Sequence, residues 1–152
     1  MSRVVVPAAF SELPAEAEKA EVIAHLAKAL VASGHIARKD VQAIIDGAMA
    51  REAIGSTGIG HGIAIPHCRC DLVKEIVCAY GRSEDGVDFD SLDGEPVHSV
   101  FFVVTPNALK QEHLALMKNF AAQIRKENFC EFLRQSGDAS SLIALLAEFE
   151  GA

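Results

Sequence analysis

The chain has 152 residues, half of them apolar, enough for one domain with a buried core. Its 21 acidic side chains outnumber 14 basic ones for a net charge of -7, so no basic field exists to hold nucleic acid. Four cysteines are too few for a disulfide framework, no apolar run nears the roughly 18 residues a membrane helix needs, and the start MSRVVVPAAFSELP lacks a secretory layout; the expectation is a cytoplasmic protein without membrane insertion.

No internal repeat or linker divides the chain, and residues 1–152 read as a single domain. Over 14–33 the run is rich in Ala, Glu, Lys and Leu, with Val22, Leu26, Ala29 and Leu30 at helical spacing and Gly34 as a stop. A second helix is predicted over 39–50, where Val41, Ile44, Ile45 and Ala48 share one side. Glycines at 55, 58, 60 and 62 then mark a loop that feeds a short strand ending at Pro66-His67. EIVCAYGR (75–82) and VHSVFFVV (97–104) are β-branched and aromatic enough for buried strands, with turn signals at Asp85-Gly86 and Asp93-Gly94. Helices are predicted over 112–126, 129–135 and 140–148. The sum is a mixed α/β layer fold.

The glycine string does not match the common nucleotide fingerprints, because no Gly-Lys-Ser/Thr follows and the next element is a strand. It is either a flexible surface turn or an anion nest, in which backbone N–H groups around Gly58, Gly60 and Gly62 face a phosphoryl group. A neighbour able to carry that group is His67, held stiffly after Pro66. Arg51 closes the second helix; it either complements the helix dipole or offers a planar fork of donors to phosphoryl oxygens. His113 falls on the stripe of Met117, Phe120 and Ile124, so it is either a core histidine hydrogen-bonded to backbone or a neutral ring donating one hydrogen bond to the site. His61, His67, Cys68 and Cys70 hint at a metal cluster, yet strand alternation puts the two cysteines on one face and His67 with Arg69 on the other. Neither metal nor cofactor is expected. Cys78 and Cys130 read as core fillers, and His25, His35 and His98 need no function.

The string GSTGIGHGIAIPHCR, with Arg51-Glu52 before it and FDSLDGEPVHSVFFVVTPNALKQEHLALM after it, resembles the enzyme IIA domain of the fructose/mannitol type in the bacterial phosphoenolpyruvate-dependent sugar phosphotransferase system. It is especially similar to the stand-alone nitrogen-regulatory branch. The resemblance runs from about residue 13 to residue 149 and implies a three-layer α/β/α sandwich around a small mixed sheet. It implies His67 as the phosphorylated histidine, with His113 and Arg51 as its active-site companions. The expected activity is that of a phosphotransferase component with a phosphohistidine intermediate. Its phosphoryl group would come from the phosphocarrier HPr or a nitrogen-branch counterpart. The group would pass to a IIB domain, or its presence would be read by a regulated transporter or kinase. The loop of Thr57, Gly58, Gly60 and Gly62 is then expected to hold phosphoryl oxygens through its N–H groups. The alternative is a regulatory binding module that keeps the fold without the chemistry.

Overall fold

The structure is a computed structural model that describes residues 1–151. In chain order the strands are β1 (Val5–Glu12), β2 (Gly58–Gly60), β3 (Ile63–Ala64), β4 (His67–Cys70), β5 (Val77–Val87) and β6 (Val97–Pro106). The helices are α1 (Lys19–Ala32), α2 (Val41–Ile54), α3 (Lys110–Ile124), α4 (Phe129–Gln135) and α5 (Ala139–Glu150). Among the described residues no helix is long and apolar enough to cross a membrane.

The spine is β6, whose stretch 100–104 is continuously apolar, as expected of a strand covered on both faces. Val100, Phe102 and Val104 face α1 and α2, joining Val22, Leu26, Leu30, Ile44 and Ala48. Phe101 and Val103 face the other way, toward Leu116, Phe120, Phe129, Leu133, Leu142 and Leu146 of α3, α4 and α5. One mixed sheet therefore separates two cores, giving the three-layer α/β/α sandwich the sequence led us to expect. On one side of β6 lies antiparallel β5, flanked by parallel β1. On the other side β3 and β4 are two pieces of one line, both parallel to β6, interrupted at Ile65-Pro66. Proline supplies no N–H to the ladder, but the Pro66 carbonyl still accepts from Val103 N at 3.0 Å. That contact sets the register: His67 lies opposite Val103 and Cys68 opposite Val104.

Several boundaries differ from the sequence expectation. Residues 14–18 form a turn rather than the first turn of α1; Glu16 is left-handed, and the Glu21 carboxylate accepts from Glu18 N at 3.4 Å, fixing the helix start there. The valine-rich start is β1, an edge strand, where Pro7 is tolerated at the cost of a break in register between Val5 and Phe10. The Asp85-Gly86 signal is a bulge inside β5, not the end of the strand: pairing with β6 slips between Arg82 and Val87, and Gly86 has φ +92. The reversal comes later, with Gly94 N bonded to Ser91 O at 2.9 Å. Helix α2 runs past residue 50 to Ile54, so Arg51 lies inside its last turn.

Gly47 shows how closely α2 sits on β4. A Cβ there would lie 2.7 Å from Cys68 Sγ, well inside van der Waals contact. Gly47→Ala should cost about 1–3 kcal/mol of overpacking, more than the roughly 1 kcal/mol that alanine returns in helix propensity. In a Cys68→Ala background the same change should stabilise. Thermal melts of the two single variants and the double variant check this; a Gly47→Ala effect of the same sign in both backgrounds would refute the contact.

Candidate functional site

Three elements converge on a cleft of about 440 Å³: Gly47 and Arg51 from α2, His67, Cys68 and Arg69 from β4, and Asn107, Lys110, His113 and Leu114 around the start of α3. Strand alternation sends His67 and Arg69 to the α3 side, while Cys68 is buried with Cys70 against it in the α1–α2 core. Burial and the neighbouring Cys70 push the Cys68 thiol up to about 12, so it stays protonated at neutral pH.

The His67 ring is half-buried, and its Nδ1 lies 2.9 Å from the Ile65 carbonyl. A carbonyl can only accept, so Nδ1 carries the proton and Nε2 keeps its lone pair. Burial holds the ring below the ordinary histidine value of 6.5, opposed by the Ile65 hydrogen bond and helped by Arg51. The resting form at neutral pH is thus a neutral imidazole with a nucleophilic Nε2.

The two histidine rings face each other, centroids 5.0 Å apart at an angle of 54°. His113 is 4% exposed and its Nδ1 contacts Thr105 Oγ1 at 2.8 Å. It is a buried histidine on the helix stripe, and it also lines the cleft. Its partner is the Thr105 side chain rather than backbone. Burial, then His67 and Arg69, push its pKa down to about 4. Because the folded ring resists protonation, the unfolded chain binds more protons between about pH 6.5 and 4, and stability falls as pH drops through that window. His113→Gln should flatten this acid slope. Melting temperatures at pH 7 and pH 5 for both proteins check it, an unchanged slope contradicting the account.

Arg51 makes the helix-end contact that one of its sequence readings expects. Its Nη1 donates to the Gly55 carbonyl at 2.8 Å, tying off the C-terminal end of α2, and its side chain also lines the cleft. Arg69 and Lys110 add two further cations that the sequence reasoning did not assign to the site.

The glycine loop is a correction. Thr57, Gly58, Gly60 and Gly62 do not line the cleft; residues 58–64 form a tight hairpin of β2 and β3, in which His61, Gly60 and Gly62 take positive φ to make the reversal. Three of its N–H groups are engaged within the protein. Thr57 N donates to Glu52 at 3.1 Å, Gly58 N to Ser56 Oγ at 2.9 Å, and His61 N to Asp93 at 3.2 Å. An anion nest needs those donors free, so the loop shapes the edge of the sheet instead.

The sequence model of the family described as "Phosphoenolpyruvate-dependent sugar phosphotransferase system, EIIA 2" matches residues 9–149. A nitrogen regulatory protein of Pseudomonas aeruginosa is 38% identical over 111 residues, which span 73% of this chain and 72% of that protein. A fructose-specific EIIA component of Haloferax volcanii is 31% identical over 132 residues, covering 87% and 84% of the two chains. Among solved structures, nitrogen regulatory protein IIA-Ntr from Neisseria meningitidis superposes with a TM-score of 0.84 at 27% identity, over 95% of this chain and 97% of that one. The match spans both cores, β4 with its histidine, and α3, and on it the chain belongs to the EIIA 2 family of the phosphoenolpyruvate-dependent sugar phosphotransferase system.

Proposed function

We propose that this protein is a cytoplasmic phosphoryl relay in which His67 Nε2 takes the phosphoryl group from the phosphohistidine of HPr or its nitrogen-branch counterpart. The observation that carries the reading is the commitment of Nδ1 to the Ile65 carbonyl, which leaves Nε2 bare beside Arg51, Arg69 and Lys110. In the transfer the donor's N–P bond breaks as the His67 Nε2–P bond forms, and the donor ring recovers its lone pair. Nothing is oxidised or reduced. Phosphoryl transfer asks the protein mainly for alignment and for charge to meet the three equatorial oxygens, and three cations around a neutral imidazole supply both. His113 contributes one hydrogen bond: its Nδ1 is paired with Thr105 Oγ1, and in the tautomer where the hydroxyl donates, the His113 proton sits on Nε2 and faces the phosphoryl group.

Phospho-His67 then serves either as donor to a IIB domain or as a state that a regulated transporter or kinase reads. Relatives named for fructose transport and for nitrogen regulation support the two roles, and the greater identity to the Pseudomonas protein favours regulation. The test is incubation with phosphoenolpyruvate and the general phosphotransferase proteins. One phosphate per chain that appears only when HPr or its counterpart is present supports the relay, and no phosphate with either carrier supports the non-catalytic binding module.

Arg51→Ala should remove charge-assisted hydrogen bonds of about 1.5–3 kcal/mol, a roughly 10- to 150-fold slower transfer. The lost cap at Gly55 should cost only about 1 kcal/mol of stability. Stopped-time phosphorylation and thermal melting, run on the same preparation, separate the two. A large loss of stability with a normal rate would reduce Arg51 to a helix cap.

A further inference from the structure

Next to Arg51, and in the same last turn of α2, Glu52 points the other way, into the protein. It is 6% exposed, a costly place for a carboxylate unless every lone pair is met. Here they are met: Lys19 Nζ lies 3.1 Å from Oε2, and Thr57 gives both its N–H, at 3.1 Å, and its hydroxyl to Oε1. Lys19 is itself held, 5.3 Å above the Phe89 ring and 3.4 Å from Asp90. The chain of contacts continues past Thr57. The Thr57 carbonyl accepts from Ile65 N at 3.1 Å, and the Ile65 carbonyl is the group that accepts from His67 Nδ1.

Such a network does more than bind α2 to its neighbours. The Ile65 backbone precedes Pro66, belongs to neither β3 nor β4, and is not among the residues paired with β6. What holds its N–H is Thr57, and what holds Thr57 is a buried charge. Without the Thr57 anchor on its N–H, a change in the Ile65 backbone dihedrals would swing the adjoining Ile65 carbonyl off Nδ1, and the imidazole would be free to carry its proton on Nε2, where it blocks attack.

We propose that Glu52 is a positioning residue for phosphoryl transfer: acting through Thr57 and the Ile65 backbone, it fixes the tautomer that leaves His67 Nε2 unprotonated. This deepens the reading of His67 as acceptor and rests on it. The dipeptide Arg51-Glu52 then divides one task, the arginine facing the phosphoryl group and the glutamate holding the nucleophile's frame from behind.

The test is made on the whole chain with Glu52→Gln, Thr57→Val and Thr57→Ser. Nitrogen-15 NMR of the imidazoles reads the His67 tautomer, and phosphorylation from phospho-HPr, or the phosphorylated nitrogen-branch carrier if that is the donor, reads the rate per folded molecule. In the unaltered protein His67 should be chiefly the Nδ1–H form. Glu52→Gln should raise the Nε2–H share and slow transfer by about tenfold, the scale on which outer-shell partners of a reactive group act. Thr57→Val keeps the carbonyl and the side-chain shape but loses the hydroxyl donor, so it should shift both readouts in the same direction even if Glu52→Gln does not fold. Thr57→Ser should restore them. A fall in melting temperature with tautomer and rate unchanged in Glu52→Gln and Thr57→Val would overturn the proposal and make Glu52 a residue of the fold alone. The tautomer is read without any phosphate present, so this outcome is distinct from failure of the acceptor assignment, which His67→Ala decides.

Discussion

His67→Ala should carry no phosphate after incubation with phosphoenolpyruvate and the general phosphotransferase proteins, where the unaltered chain gains one that is lost in acid and stable in base. The loss should be complete rather than graded, because the substitution removes the atom to which phosphorus bonds and no neighbour can replace it. His113 is the nearest alternative, with its ring centroid 5.0 Å away, but Nδ1 is engaged by Thr105 and the ring is almost wholly buried. The fold should survive: His67 is half-buried at the end of a short edge strand, and its one side-chain bond among the described residues goes to a carbonyl that water can satisfy. Mass spectrometry of both proteins decides it, and a phosphate that persists in His67→Ala removes the assignment.

The second large effect is expected at His113. On the proposed mechanism His113→Ala takes away the hydrogen-bond donor to the phosphoryl group; it also leaves Thr105 Oγ1 without its partner in a fully buried position and opens a void beside Leu116 and Phe120. Transfer should fall by roughly 100-fold or more, the cost of one preorganised donor, and stability by about 1–3 kcal/mol. His113→Gln separates the two losses. A glutamine amide reaches about as far as imidazole Nε2 and remains a neutral donor, so it should keep a substantial part of the rate. The order of rates should be unaltered chain, then Gln, then Ala. Equal rates from the phosphorylated carrier in all three folded proteins would show that His113 only packs.

Periodicity made much of the scaffold legible. The stripe of Val22, Leu26 and Leu30 and the apolar run of β6 owe their pattern to burial, and burial is what a sequence records most directly. β1 was hidden because Pro7 breaks its alternation, a break tolerated only on an edge strand, and edge position is a tertiary fact. The ends of α2 and β5 moved for a similar reason: Glu52 and the Asp85-Gly86 pair look like solvent-facing or turn residues until their long-range partners are known.

At the site, His67, His113 and Arg51 stood out through residue type and the motif around them, and the three do converge on one cleft. The glycine loop misled because its composition fits an anion nest as well as a tight hairpin. Only Asp93, 32 residues from His61, and Ser56 and Glu52 closer by reveal that the donors of Thr57, Gly58 and His61 are taken. Thr105 gave no signal, since a threonine at the end of a β-branched strand is what strand propensity alone would place there. Arg69 was visible as a strand neighbour of His67, two residues on and on the same face. Lys110 was not, because the start of α3 had been set two residues too late.

The ring nitrogen that bears phosphorus tests the account most directly. Protein labelled with nitrogen-15 at histidine and phosphorylated through the carrier would be examined by nitrogen and phosphorus NMR, resolving both the residue and the atom. The account predicts phosphorus on Nε2 of His67, with Nδ1 still protonated and still bonded to the Ile65 carbonyl, and His113 unmodified. Phosphorus on His67 Nδ1 would require that hydrogen bond to be broken, and phosphorus on His113 would put the nucleophile on the wrong ring; either result contradicts it.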